Sequence, residues 1–322
     1  LAVDSMNLLY QFLTTIRGMD GSALTDSKGR VTSHLIGLFS RTTSLMEQGL
    51  KLVFVFDGKA PDIKKKTWEK RTAIKQEAAK LFQKAEEDQN MGDMRKFASR
   101  TVILDKDMIR DAKNVITALG LPIVQAPSEG EAQTAYMVKN GTCYASVSQD
   151  YDNLIFGCPT LVRNLSIDGK RKRAGKFAYQ KVSPEMIKLE DVLKKLELNL
   201  EQIIVLAILV GTDYNPGGVK GIGPKTALKL MKKHGDNFDK HFEDVKWKES
   251  YPDLEWKEVF DTIKHIPVTD DYKLEWKNID EEALIHLLVE EHGFSLDRVK
   301  SKLEKLNEVK GKLSQKGLSS FF

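Results

Sequence analysis

Five short runs rich in β-branched and aromatic residues, Leu1 to Val3, Lys51 to Phe56, Leu121 to Gln125, Cys143 to Ser148 and Thr160 to Asn164, alternate with amphipathic stretches of helical length. Strands separated by helices can lie parallel, because each crossover helix carries the chain back across the sheet before the next strand begins. The pattern predicts an α/β fold with a mostly parallel central sheet flanked by helices. Thr32 to Gln48, with Leu35, Ile36, Leu38, Phe39, Leu45 and Met46 near a 3.6-residue period, and Met108 to Leu119 are the expected crossover helices. At 322 residues the chain has room for two domains of about 150 residues. Its 41% apolar content excludes fibrous and unfolded classes. The run Ile203 to Val210 is far short of the roughly 20 residues a membrane helix needs, and no signal peptide is visible. Cys143 and Cys158 are too few for a disulfide framework or a four-cysteine zinc site; they suit a reducing intracellular compartment and read as small core residues.

Two regions break the alternation. Asp62 to Arg100 is charged and weakly apolar, an insertion with helical composition and a turn at Asp88 to Gly92. Beyond Val182 the strand signal fades: Ser183 and Pro184 open one segment, and Asn199 with Gln202 caps a helix through Val210. From Gly311 to Phe322 helical periodicity is lost, which reads as a tail. The expected organisation is an α/β core over 1–182 with an insertion at 62–107, a helical region over 183–300 with a helix-hairpin-helix at 203–234, and a tail over 301–322. Net charge is only +4, so position matters more than balance. Asp62 to Lys84 carries eight basic and three acidic residues, Arg163 to Lys181 seven basic residues and one Asp, and Tyr214 to Gly235 five lysines and no carboxylate. One such patch alone reads as a solvated helix face; three together suggest a polyanionic partner.

Acids recur where strands end. Asp4 follows Leu-Ala-Val, Asp57 follows Leu-Val-Phe-Val-Phe, Glu129 and Glu131 follow the third run, and Asp150 and Asp152 follow the fourth. In an open parallel sheet the carboxyl ends of the strands share the edge where ligands bind, so these six should converge there, with Asp213 as a seventh. Like charges about 4 Å apart repel by roughly 4 kcal/mol at an effective dielectric of 20, so the cluster calls for cations. Hard oxygen donors without His or Cys fit Mg²⁺ or Mn²⁺ and disfavour zinc. Seven acids suggest two ions, an arrangement suited to phosphodiester hydrolysis. Any one of these acids could instead be a turn residue or a cap, and Ser128-Glu129-Gly130-Glu131 also reads as a capping box. Coincidence at four strand ends carries the functional reading.

Gly217-Gly218-Val219-Lys220-Gly221-Ile222-Gly223-Pro224-Lys225 lies between two helical stretches. Gly221 and Gly223 would let backbone approach a phosphate at the next helix N-terminus, with Lys225 and Lys229 beside it and loop carbonyls open to a K⁺ ion. The alternative is a glycine-rich turn joining two helices.

Together these segments resemble the flap endonuclease family of structure-specific 5′ nucleases, its archaeal branch most of all. The resemblance rests on Val-Phe-Asp-Gly at 55–58, Ala-Pro-Ser-Glu-Gly-Glu-Ala at 126–132, Ser-Gln-Asp-Tyr-Asp at 148–152, Gly-Thr-Asp-Tyr at 211–214 and Lys-Gly-Ile-Gly-Pro-Lys at 220–225. It implies that Asp4, Asp57, Glu129 and Glu131 serve one metal and Asp150, Asp152 and Asp213 the other. It implies that the insertion is a helical arch passed by a single-stranded 5′ flap, with Lys64 and Arg71 facing the scissile phosphate. Tyr10, a core residue by periodicity, would stack on a base. Arg17 and Arg41, otherwise ordinary surface arginines, would hold the upstream duplex and its 3′ end.

The C-terminal Gln315-Lys316-Gly317-Leu318-Ser319-Ser320-Phe321-Phe322 is similar to the Gln-x-x-Leu-x-x-Phe-Phe box that docks on sliding clamps, so Gln315, Leu318, Phe321 and Phe322 are the expected anchors. The resemblance implies a monomer acting with the replication machinery, in cytoplasm and nucleoid or in a nucleus. Family members carry a further segment before the Asp4 strand. A molecule starting at Leu1 would bind metal yet place substrate poorly, which keeps a clamp-tethered junction binder without activity as an alternative to the enzyme. An RNA-directed nuclease of similar fold is a third reading.

Overall fold

All five β-rich runs form strands: β1 (Ala2–Asp4), β2 (Val53–Phe56), β3 (Ile123–Gln125), β4 (Ser146–Val147) and β5 (Thr160–Arg163). The structure, a computed structural model, describes residues 1–19, 21–88, 90, 92–93, 97, 103–166, 170–172 and 179–319; the side chains at 66, 68, 70, 71, 86, 170–172, 179–181 and 310–319 lie outside that description. The strands pair in parallel in the order β3-β2-β1-β4-β5, with Val3 opposite both Phe54 and Val147. Strand order reverses at β1, so a crevice opens there at the carboxyl edge. A separate antiparallel ribbon joins β6 (Lys170–Lys172) and β7 (Tyr179–Lys181).

Alternation along the strands feeds two cores. Val3, Phe54 and Phe56 pack with Leu9, Leu38 and Ile116 from α1 (Ser5–Thr15), α2 (Ser33–Glu47) and, beyond the long α3 (Lys65–Glu87) of the insertion, α4 (Lys106–Ala118). Ala2, Val53 and Val55 face the other way, against Ala135 and Met137 of α5 (Gly130–Lys139). A short α6 (Asp152–Ile155) follows β4. At the expected turn of the insertion, the Asn90 side chain accepts from the amides of Gly92 and Asp93; residues 89 and 91 lie outside the described set.

Three expectations change in space. Ser183 and Pro184 lead into a sixth strand, β8 (Glu185–Lys188), antiparallel to β5. The edge of the sheet tolerates a preceding proline, and Ile187 packs onto buried Leu154, Leu161 and Leu189. Helix α7 (Leu189–Leu196) starts only after it. The core therefore extends past residue 182. It also recovers the chain near its end: after α13 (Glu281–Ile285) and a π-helical turn, Leu284, Leu288, Val299 and Leu303 join the first core. The last helix, α14 (Leu296–Ser319), continues through residues read as a tail. Buried Val299, Leu303 and Leu306 nucleate it, and Lys, Leu, Glu and Gln propagate it across two glycines.

Between these pieces lies the helical region. Asn199 caps α8 (Leu200–Val210) in a full capping box with Gln202, as the sequence predicts (2.8 and 2.9 Å). With α9 (Pro224–His234), α10 (Phe238–Asp244), α11 (Trp247–Ser250) and α12 (Trp256–Lys264) it encloses its own core around Ile208, Leu209, Met231, Phe242, Trp247 and Phe260.

Candidate active site

The four acid-bearing strand ends are neighbours in the sheet, and their carboxylates are fixed one by one by polar contacts. Asp4 closes β1 and caps α1, its Oδ1 accepting from the Asn7 amide (3.1 Å); the residue is 3% exposed. Asp57 follows β2, and its Oδ1 accepts from the Gly130 amide at the start of α5 (2.8 Å). The capping box read at Ser128 is not formed: α5 starts one residue later, with Glu129 at the cap position and without a side-chain cap bond, while the first helical amide goes to Asp57. This leaves Glu129 free to turn elsewhere. Two motif glycines are explained by close approach, because a Cβ on Gly130 would lie 2.6 Å from Asp57 Oδ1 and one on Gly58 2.1 Å from the Ala126 carbonyl.

Ser148, at the end of β4, has its Oγ 3.2 Å from Asp4 Oδ2 and 3.5 Å from Glu131 Oε1. Asn7 Nδ2 donates to Asp150 Oδ2 (2.6 Å), and Asn7 Oδ1 accepts from the Gln149 amide (3.2 Å). From the other side, the end of α8 brings Asp213. Lys64, at the root of the insertion, places Nζ 2.6 Å from Glu129 Oε2, 3.5 Å from Asp213 Oδ2 and 4.8 Å from the centre of the Tyr214 ring. Thr67 Oγ1 donates to the Asp213 carbonyl (2.7 Å). These contacts gather six of the seven predicted acids around one crevice; Asp152, at the start of α6, interacts with Asp213 and Asp150 by charge.

Their electrostatics record the crowding. Burial, then the charge of Asp57, pushes the Asp4 carboxyl up to about 7. Burial raises Asp57 to about 6, with Glu129 adding to it and the Gly130 amide opposing it. Asp152 rises to about 6 through burial and the charges of Asp213 and Asp150. Glu131 rises well above the carboxylate range through burial and the charges of Asp4, Asp152 and Asp150. Lys64 is driven the other way: despite its burial, Glu129 and Asp213 raise its pKa, so it stays an ammonium.

This donor set fits hydrated Mg²⁺ or Mn²⁺. It is all carboxylate, and the single ammonium of Lys64, which reaches Glu129 and Asp213, leaves most of its negative charge unbalanced. No three acids among the described residues form a ready three-ligand cage. Mg²⁺ keeps several waters and takes only one or two carboxylates directly, so a site for it needs no such cage.

A pH dependence follows. Groups whose folded pKa lies above the unfolded value of about 4 bind more protons when folded, so their contribution is full below pH 4 and lost as pH rises through 6 to 7. In chelator, Tm is expected to be lower at pH 8 than at pH 5, by on the order of 5 °C. Millimolar Mn²⁺ should remove most of the difference. A chelated protein equally stable at both pH values would contradict the burial of these acids.

The remaining predicted residues sit around the crevice. Arg71 lies on α3, its side chain outside the described set. Tyr10 is half-buried rather than core, with Lys75 Nζ 3.3 Å from its hydroxyl. Arg17 and Arg41 are half-buried too: Arg17 Nη1 donates to the Gly21 carbonyl (3.0 Å), and Arg41 Nε and Nη2 to the Leu165 carbonyl (3.2 and 2.8 Å). Gly221, Gly223, Lys225 and Lys229 are exposed. Gln315 and Leu318 are described by backbone alone, and Phe321 and Phe322 lie outside the described residues. The sequence reading missed Asn7, Ser148 and Thr67 as supports. Only Ser148 carried a signal, through its place in Ser-Gln-Asp-Tyr-Asp.

Known proteins resemble this chain along its whole length. Residues 1–78 match the XPG N-terminal domain and residues 120–213 the XPG I-region. The chain is 50% identical over 322 residues to flap endonuclease 1 of Pyrococcus abyssi, covering all of this chain and 92% of that protein. It is 49% identical to flap endonuclease 1 of Pyrococcus furiosus, with 100% and 93% covered. The solved structure of flap endonuclease-1 from Methanococcus jannaschii superposes with a TM-score of 0.72 at 39% identity, covering 96% of this chain and 91% of that one. With about half of its residues identical along the whole chain and both XPG regions matched, this protein belongs to the flap endonuclease family.

Proposed function

We propose that the chain is a structure-specific 5′ flap endonuclease that hydrolyses a phosphodiester near the junction of single- and double-stranded DNA, in Okazaki-fragment maturation and repair. The observation that carries this reading is the gathering of seven carboxylates in one crevice with Lys64 reaching in from the inserted helix. Asp4, Asp57, Glu129 and Glu131 would hold one Mg²⁺, and Asp150, Asp152 and Asp213 the other, with Mn²⁺ able to substitute. Bound there, two divalent ions would supply charge neutralisation at the scissile phosphate and a more acidic attacking water. The protein's own part is electrostatic and positional. Asn7 and Ser148 hold the acids, and Lys64, with Arg71 expected beside it, offers positive charge to the phosphate as its own charge grows.

The glycine hairpin supports duplex binding. Gly223 has an ordinary φ of −93°, and a Cβ there would meet nothing within 4 Å, so the fold itself does not demand glycine. Bare backbone at the start of α9, flanked by exposed Lys225 and Lys229, suits a phosphate, and the hairpin carbonyls suit K⁺. Tyr10 would stack on a base, and Arg17 and Arg41 would steady the upstream duplex. The C-terminal Gln315, Leu318, Phe321 and Phe322 would dock on a sliding clamp. The protein would work as a monomer inside the cell; no helix among the described residues is long and apolar enough to cross a membrane.

Double-flap DNA with Mg²⁺ tests the reading. Cleavage is expected close to the junction, abolished by chelator and indifferent to base sequence. DNA affinity should fall by about 10³ between 50 and 200 mM salt if some six phosphates are contacted. No metal-dependent cleavage at any salt would reject the enzyme.

A further inference from the structure

Residues 211–223 run from the acidic crevice, at Asp213, to the glycine hairpin, at Gly221 and Gly223, and the first half of this segment is tightly built. Asn215 is fully buried; its Oδ1 accepts from the Thr212 amide and hydroxyl (3.2 and 2.7 Å), and its Nδ2 donates to the Ile208 carbonyl (2.7 Å). The Gly218 amide donates to Asn215 O (3.1 Å) and the Val219 amide to Leu209 O (2.9 Å). Gly218, at φ +60°, doubles back so closely on α8 that a Cβ would lie 2.1 Å from Val210 O.

The carbonyls of this turn meet a side chain from the far helices. The Tyr251 hydroxyl lies 3.0 Å from Asn215 O, 3.1 Å from Gly218 O and 3.2 Å from Pro216 O. A phenol has one proton to share among these three acceptors. Burial raises its pKa, so that proton stays in place at neutral pH. The ring stacks on Trp247 at 4.4 Å, Trp247 meets Phe242 edge-on at 5.4 Å, and Trp247 Nε1 donates to Leu254 O (2.6 Å). The hydroxyl thus ends an aromatic strut anchored in the helical core.

The geometry points to Tyr251 as a positioning residue that sets the spacing between Asp213 and the Gly221–Gly223 hairpin, and thereby selects which phosphodiester reaches the acids. The inference rests on the reading of the hairpin as duplex grip and of the crevice as cutting site. With both carried by one rigid segment, the cut falls at a set distance from the grip. Neighbouring phosphates are only about 3.4 Å apart along the duplex axis, so a few ångströms of play in the hairpin would bring the next bond into range.

Tyr251→Phe removes the hydroxyl alone and can be tested on the full chain in two ways. In DNA-free protein, amide hydrogen exchange over residues 211–222 is expected to speed up about tenfold, the equivalent of roughly one lost hydrogen bond. On 5′-labelled flap DNA, the single main product is expected to spread over adjacent bonds, with KM raised about threefold to tenfold and kcat changed little. One product length at unchanged KM overturns the proposal, even if exchange or Tm shifts, because Tyr251 would then be structural only. Unchanged exchange overturns the strut itself. Failure of the unaltered chain to cut any flap DNA is a different result: it rejects the nuclease reading and register selection with it, while exchange still decides the strut.

Discussion

Asp150→Ala is expected to lower Mg²⁺-dependent flap cleavage by at least ~10³ while flap affinity, measured in Ca²⁺ without turnover, changes by less than about threefold. Loss of one acid removes several kcal/mol of metal-borne transition-state stabilisation, and about 4 kcal/mol corresponds to 10³ in rate. Asp150 is exposed and outside the hydrophobic cores, and its side chain accepts from Asn7 Nδ2 at 2.6 Å, so the fold should survive the change. Single-turnover cleavage alongside an equilibrium binding titration checks both halves. A variant that still cuts would show that Asp150 serves no metal.

The second large effect concerns Lys64, whose replacement should move two readouts in opposite directions. Its ammonium is 2.6 Å from Glu129 and its side chain only 10% exposed, so in the metal-free protein it acts as the counter-ion of a carboxylate cluster. In Lys64→Met a divalent ion would no longer compete with this charge, and Ca²⁺ affinity of the DNA-free protein should rise several-fold. Removing a donor aimed at developing phosphate charge should meanwhile cost about 10²–10³ in cleavage rate. Calorimetric Ca²⁺ titration and single-turnover kinetics report the two effects separately. A fall in Ca²⁺ affinity would mean that Lys64 organises the acids rather than opposing the ion.

Lys64 also illustrates how far the residues alone can be read. Its charge and its place in a basic run are plain in the sequence, and the family resemblance implies a role toward phosphate. Its partners Glu129 and Asp213 lie 65 and 149 positions away, and no local pattern couples them. Asn7 is a stronger case: an unremarked residue in the first turn of α1, it proves to join the Asp4 and Asp150 loops across 143 positions.

Short-range physics made much of this protein legible from its residues. Periodicity marked five strands and two crossover helices, the Asn199 capping box declared itself over four residues, and six of the seven acids stood just past a strand. These features are set by interactions within a few positions of each other, so the residues alone express them. Tertiary structure decided the rest: the strand order that makes four acid-bearing ends adjacent, the use of Asp57 instead of Ser128 to cap α5, the sixth strand β8, the return of the last helices to the first core, and the contact of Tyr251 with the hairpin. Each of these joins distant parts of the chain through burial or a single polar contact, and such energies exist only once the intervening chain has been brought around.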